Sequence, residues 1–361
     1  MVNASYNALH GQFRLNGNPY SKDELKEVAY SLVKEGEDFE RAIGDFLIDW
    51  LNDRPTISVQ TSGSTGKPKS IVLQKRHMVN SACATGDFFH LRPGDTALLC
   101  LPATYVAGKM MLVRAMVLGL RLDYVSPSSN PLGTNSPFYD FSAMVPLQLK
   151  NSLEHLSCIG TLIVGGAPVN PEMLGLVRKK GVSTTIFETY GMTETITHIA
   201  LKQVHPTAQL PETAFTVLPK VKISTDARGC LVIDAPEIAE GPVVTNDMVR
   251  IVSDLEFEWL GRYDNVINSG GVKLFPEQIE AKLGKVIESR FFVAGKKDAG
   301  LGQKLILVVE GNPNTDRLIE KIRQLPLLDK FEVPKHVFCV PQFKETASGK
   351  VQRSETLASI G

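Results

Sequence analysis

The chain has 361 residues, 43% of them hydrophobic and 22% charged, and its 39 Lys and Arg are balanced by 39 Asp and Glu. That length predicts two or three packed units rather than one core, the composition excludes long disorder, and the charge balance excludes a global field that would hold nucleic acid or an acidic membrane surface. Cys83, Cys100, Cys158, Cys230 and Cys339 are scattered among apolar neighbours without metal-ligand spacing, the pattern of small core residues in a reducing compartment.

The first residues carry no basic and apolar secretion pattern, so a cytoplasmic address is expected. Two amphipathic helices are predicted between 21 and 53. Leu25, Val28, Ala29, Leu32 and Val33 mark the first, and Phe39, Ile43, Phe46, Leu47, Trp50 and Leu51 the second. Ser21 and Glu24 form a capping box for the first. β-rich runs at 57–60, 97–101, 121–125, 161–165 and 184–188 then alternate with helical ones, an α/β pattern on a mainly parallel sheet. The apolar stretch from Tyr105 to Leu120 contains Lys109 and Arg114 and is shorter than the roughly 20 residues a bilayer crossing needs, so it reads as a buried helix.

Between about 213 and 260 the helical period disappears and short strands remain, punctuated by Pro211, Pro219, Gly229, Pro236 and Gly241. A small β-barrel or antiparallel sheet is expected there. After GRYDN at 261–265, the runs PEQIEAKLGKVI, KLILVVEG, NTDRLIEKIRQL and HVFCV predict a further α+β unit. The expected organisation is an α/β large domain over 1–262 with a small β-rich subdomain, and a mobile C-terminal α+β lid domain over 265–361. The hinge between them is placed near 263–264.

The densest chemical signal is TSGSTGKPK, Thr61 to Lys69, after the first β-rich run. Its hydroxyls, glycines and lysines suit a loop that surrounds a polyphosphate. The spacing is not that of a P-loop NTPase, which needs four residues between its glycines and Ser or Thr after Gly-Lys; here Pro68 follows Lys67. The segment resembles the phosphate loop of the adenylate-forming superfamily: acyl-CoA synthetases, peptide-synthetase adenylation domains and luciferases. The resemblance implies that Thr61, Ser62, Gly63, Ser64, Thr65, Gly66 and Lys67 hold the phosphates of ATP.

Further segments follow in that family's order. Gly165, Gly166, Ala167 and Pro168 resemble the turn beside adenine. In YGMTET, the resemblance implies that Tyr190, with Gly191 and Met192, lies against adenine, that Thr193 reaches the α-phosphate, and that Glu194 helps hold Mg2+. Asp247 stands where the family has a ribose-binding aspartate, although Asn246 replaces the preceding glycine. Arg262 is similar to an arginine that touches ribose and phosphate, and Asp264 to the hinge. Ser269, Gly270 and Gly271 resemble the loop lining the route of the coenzyme A thiol, and Lys350 in TASGK the lysine that contacts the transferring carboxylate. The family has a longer region before the phosphate loop, so a shortened N-terminal region is expected.

The segment LPATYVAGKM, 101–110, resembles the family's P-x-x-H-x-x-G motif with Tyr105 at the gate and Gly108 as its glycine. It offers no carboxylate for a substrate ammonium. Lys109 and Arg114 instead interrupt an apolar helix, where a cation wants an anion unless it snorkels to the surface. The spacing of Arg114 is similar to that in the branch of the family that activates o-succinylbenzoate in menaquinone biosynthesis, which implies an aromatic acid with a second carboxylate. The leading expectation is an AMP-forming acid–thiol ligase using ATP, Mg2+ and coenzyme A. A stand-alone adenylation domain loading a carrier protein and a non-catalytic nucleotide-binding homologue are the alternatives.

Overall fold

The computed structural model describes residues 6–60, 70–206, 214–345 and 351–360. The chain opens with β1 (Arg14–Leu15), α1 (Lys22–Glu35) and α2 (Asp38–Leu51). At α1 the expected capping box forms: Ser21 Oγ accepts the Glu24 N–H at 3.3 Å and the Glu24 carboxylate accepts the Ser21 N–H at 2.7 Å. β2 (Thr56–Gln60) and β3 (Ser70–Gln74) pair antiparallel with each other. The 57–60 run therefore stands apart from the main sheet instead of joining it.

An alternation follows of α3 (Lys75–Phe89), β4 (Thr96–Leu99), α4 (Val106–Leu118), β5 (Arg121–Tyr124), β6 (Tyr139–Met144), α5 (Pro146–Asn151), β7 (Ile159–Val164), α6 (Pro171–Lys180) and β8 (Thr185–Gly191). Next come β9 (His198–His205), β10 (Phe215–Val217), β11 (Lys222–Thr225), β12 (Cys230–Asp234), β13 (Val243–Ser253) and β14 (Glu256–Arg262). Among the described residues these strands, β2 and β3 excepted, form one twelve-stranded sheet in the order β1-β5-β4-β6-β7-β8-β9-β10-β14-β13-β12-β11. Pairing is parallel from β1 to β8 and antiparallel from β9 onward. The β-rich region is thus antiparallel, and it extends the parallel sheet rather than closing into a barrel.

The remaining elements are β15 (Ile267–Ser269), β16 (Val272–Leu274), α7 (Pro276–Leu283), β17 (Phe291–Asp298), β18 (Gly302–Glu310), α8 (Thr315–Arg323), β19 (His336–Val340) and α9 (Arg353–Ala358). Their strands form a second, five-stranded sheet. The parallel half of the first sheet and the second sheet carry apolar clusters on both faces, which explains the nearly continuous apolar runs of their central strands. Ala97 and Leu99 belong to the core that contains Met78, Ala82 and Met111 of α3 and α4, whereas Leu98 packs on the opposite face with Leu149, Met173 and Val177 of α5 and α6. In the second sheet Val293, Leu305 and Leu307 face Ile279 and Leu318, and Phe292, Ile306 and Val308 lie on the other side with Phe343.

Several polar groups are buried with the first core, and Lys75 is one that ties two helices together. Lys75, fully buried at the start of α3, donates Nζ to Trp50 O at 2.9 Å, Asn52 O at 2.9 Å and Asn52 Oδ1 at 3.0 Å. It thereby satisfies carbonyls at the end of α2 and places a cation on the negative end of the helix dipole. Lys75→Met keeps the stem but orphans those acceptors. It is expected to lower unfolding free energy by about 2–4 kcal/mol in urea titrations; a change under about 0.5 kcal/mol would contradict this.

Candidate active site

Parallel strands bring their carboxyl ends to one edge. β4 pairs with β5 on one side and β6 on the other, so the chain changes direction there, the place where open α/β sheets bind ligands. The motifs of 101–110, 165–168 and 190–195 follow β4, β7 and β8 and meet on that edge.

The Gly165–Pro168 turn is braced from its neighbours. Gly165 donates its N–H to Met144 O at 3.1 Å, and Thr189 Oγ1 donates to Val164 O at 3.2 Å. A Cβ on Gly165 would collide with Thr189 Oγ1. The N–H of Val169 donates to buried Glu188 at 3.3 Å, and Glu188 pairs with Lys202 at 2.9 Å. Gly191 is required by close approach, since a side chain there would strike the Thr197 carbonyl.

Tyr190 makes a bond that its motif alone does not reveal. Its hydroxyl donates to Asp247 Oδ2 at 2.7 Å, and its ring packs on Phe215 and Phe257 at centroid distances of 5.8 and 5.1 Å. Burial, then the Asp247 carboxylate, push its phenol well above the usual range. Asp247 is itself buried, and Oδ1 also accepts from Trp259 Nε1 at 3.3 Å and Arg262 Nη1 at 3.5 Å. A carboxylate has about four lone-pair sites, so these contacts leave room for one further donor such as a ribose hydroxyl. Thr193 and Glu194 form the turn beyond β8, where Glu194 is exposed. No metal-sized cluster of His, Cys, Asp or Glu occurs among the described residues. A lone carboxylate fits Mg2+, which commonly takes one or two carboxylates with its other ligands from phosphate and water.

Beside the turn beyond β8, and bonded to Thr197, lies Arg114 of α4, only 2% exposed. Its Nε donates to Thr85 Oγ1 and its Nη2 to Thr197 Oγ1, both at 3.3 Å, and Nη1 faces Met111 Sδ at 3.7 Å. Ser81 Oγ lies 3.1 Å from Thr197 Oγ1, and His198 Nε2 lies 3.3 Å from Thr85 Oγ1. Every partner is neutral, and burial pushes the guanidinium down to about 10, which still leaves it charged near neutrality. Thr85 gives its own proton to Ser81 O at 2.9 Å, so it accepts from both Arg114 and His198 Nε2–H. Burial and the Arg114 charge hold His198 well below its ordinary value of 6.5.

Lys109 does not join this cluster. Its ammonium lies 5.2 Å from the Phe46 ring centre, within reach of the Asp49 and Asp45 charges, so α2 supplies its surroundings. Tyr105 is an exposed residue capping α4, and Gly108 is buried where a Cβ would meet Pro102 O. Ser269, Gly270 and Gly271 form the turn between β15 and β16, with both glycines at positive φ. Thr61 to Lys69 and Lys350 lie outside the described residues. Sequence reasoning missed Ser81, Thr85, Glu188, Thr197 and His198. A detectable signal was the polar stripe His77, Ser81, Thr85 at four-residue spacing on an otherwise apolar helix face.

A family model described as AMP-binding enzyme matches residues 50–236, and the chain belongs to that family. It is similar to the acyl-CoA synthetase (AMP-forming)/AMP-acid ligase II-like protein of Dyadobacter fermentans, with 36% identity over 93% of this chain and 98% of that one, at a TM-score of 0.61. It is also 26% identical to the 2-succinylbenzoate–CoA ligase of Bacillus cytotoxicus, over 82% of this chain and 68% of that protein. O-succinylbenzoate coenzyme A synthetase of Bacillus subtilis, solved with ATP and magnesium ion, shares the fold at 20% identity and a TM-score of 0.70, covering 93% of this chain and 82% of that one.

His198 generates a pH prediction. Its folded pKa is depressed, so below pH 6.5 the unfolded state binds more protons and stability falls as pH falls, by up to about 1.4 kcal/mol per pH unit for one proton. Buried His77 shifts in the same direction, so the diagnostic quantity is a difference. His198→Gln is expected to flatten the slope of unfolding free energy between pH 6.5 and 5 relative to wild type; equal slopes would contradict it.

Proposed function

We propose that the protein is an ATP-dependent acid–thiol ligase that converts o-succinylbenzoate to its coenzyme A thioester through an acyl-adenylate, in the cytoplasm. The observation that carries the substrate is Arg114, a buried cation whose partners among the described residues are two hydroxyls and a thioether. An unpaired buried charge is costly, and an incoming carboxylate offsets that cost with a charge-assisted contact. Thr197 is half-buried and only three residues beyond Glu194, so its side of the guanidinium is the one nearest the nucleotide motifs. The distal carboxylate of the acid reaches Arg114 there, directly or through water, while the reacting carboxylate points toward ATP. Membership of the AMP-binding enzymes and the likeness to 2-succinylbenzoate–CoA ligase support this reading.

In the first step an oxygen of the reacting carboxylate attacks the α-phosphorus of ATP and pyrophosphate leaves. Thr61 to Lys67 hold the departing phosphates, Gly165 to Pro168 and Tyr190 to Met192 flank adenine, and Asp247 and Arg262 hold ribose. Thr193 and Lys350 stabilise charge on the α-phosphate oxygens, the largest contribution such a site makes to phosphoryl transfer. Glu194 would hold Mg2+, which supplies charge neutralisation between the phosphates. In the second step the thiol sulfur of coenzyme A, guided past Ser269 to Gly271, attacks the acyl carbonyl. AMP leaves and the thiol proton passes to solvent. Rotation at Asp264 exchanges Lys350 for the thiol-side turn between the steps.

Arg114→Leu tests the substrate. Loss of one charge-assisted contact is worth about 1.5–3 kcal/mol, so kcat/KM for o-succinylbenzoate is expected to fall roughly ten- to a hundredfold. The amide of the distal carboxylate, poor with wild type, should change far less. Equal losses for both acids would make Arg114 a packing residue, and wild-type indifference to o-succinylbenzoate would refute the substrate assignment.

A further inference from the structure

Arg262 ends β14 and Ile267 opens β15, so residues 263–266 are the covalent connection between the two sheets. This connection is held from the large-sheet side by Arg228, which lies outside the nucleotide motifs, and by Asn246, the residue before Asp247. Arg228 lies in the turn between β11 and β12, where Asp226 accepts its Nε at 2.8 Å. Its Nη1 donates to Asn246 Oδ1 at 2.8 Å and its Nη2 to Thr245 O at 3.0 Å, while the guanidinium lies 5.1 Å from the centre of the Tyr263 ring. Asn246 completes the link by donating Nδ2 to Asp264 Oδ2 at 3.5 Å. One planar fork thus grips the strand that carries Asp247 and stacks on the connecting segment, a geometry that arginine supports and lysine does not. A glycine at 246, the residue of the family motif, has neither the acceptor nor the donor.

We infer that Arg228 and Asn246 are positioning residues: a clamp on residues 263–264 that fixes how the C-terminal unit is held, and so sets the balance between adenylation and thioester formation. The inference rests on the two-step reading above. Each contact is weak alone at a partly exposed site. Their convergence on one short connection makes the effect conformational, because a restraint on a hinge acts on the equilibrium between its two orientations. Releasing it favours one orientation at the expense of the other.

The test uses the full-length enzyme with Arg228→Gln, Arg228→Lys and Asn246→Ala. Pyrophosphate exchange reads the first half-reaction, thioester formation from presynthesised acyl-adenylate the second, and amide hydrogen exchange the connection itself. In all three variants the two half-reactions are expected to move in opposite directions, by roughly three- to tenfold. Exchange in 263–266 should accelerate while the melting temperature stays near wild type, and Lys should fail to rescue Arg228. The double variant should show no more than the larger single effect, since both side chains act through one linkage. Parallel loss of both half-reactions, unchanged half-reactions, or unaltered exchange in 263–266 overturns the clamp. If wild type itself shows no pyrophosphate exchange with any acid, the two-step reading fails and the proposed link to the half-reactions falls with it.

Discussion

A guanidinium enclosed by hydroxyls and a thioether is the constraint on which this structure turns. Whole domains are stable by only about 5–15 kcal/mol, and a buried, unneutralised charge takes several of those away. Arg114 persists because the surrounding core is arranged around it. Thr85 accepts from two donors, His198 is kept neutral beside the cation, and Thr197 presents the guanidinium toward the edge where the nucleotide motifs converge. Replacing the group by a hydrocarbon would suit the core better; in the proposed function a ligand carboxylate supplies the missing partner.

The sheet provides the rest. Its parallel half supplies an edge where the loops after β4, β7 and β8 meet, and its antiparallel half brings Asp247 and Arg262 alongside. Tyr190 joins the halves through its contact with Asp247. In the proposed function the nucleotide meets a carboxylate already ordered by Tyr190, Trp259 and Arg262, so little reorganisation is left for the moment of binding.

Much of this was legible because it is local or periodic. The helices at 22–35 and 38–51, the first capping box and the parallel strands follow from spacing that the chain repeats over several turns. What escaped was decided by pairing at a distance. β6 was missed because YDFSAM carries Asp140 and Ser142, yet Asp140 accepts from the backbone and hydroxyl of Thr96 and Ser142 donates to Leu98 O across neighbouring strands. Lys109 and Arg114 looked alike in sequence, as cations in one apolar helix. They differ because α2 offers Lys109 an aromatic face and two nearby carboxylates, while Thr85 of α3, Thr197 just before β9 and Met111 of α4 offer Arg114 two hydroxyls and a thioether. Tyr190 was expected against adenine from its motif, and its bond to Asp247 could not be read without the fold that brings β8 and β13 together.

In the proposed function a ligand carboxylate neutralises Arg114. The most direct measurement is a crystal structure of the enzyme with a non-hydrolysable sulfamate analogue of o-succinylbenzoyl-adenylate. A distal carboxylate oxygen is expected about 3 Å from the Arg114 guanidinium, or joined to it by a single ordered water, with the adenine beside Gly165 to Pro168. A distal carboxylate exposed to solvent, with Arg114 still bonded only to Thr85 and Thr197, would contradict it.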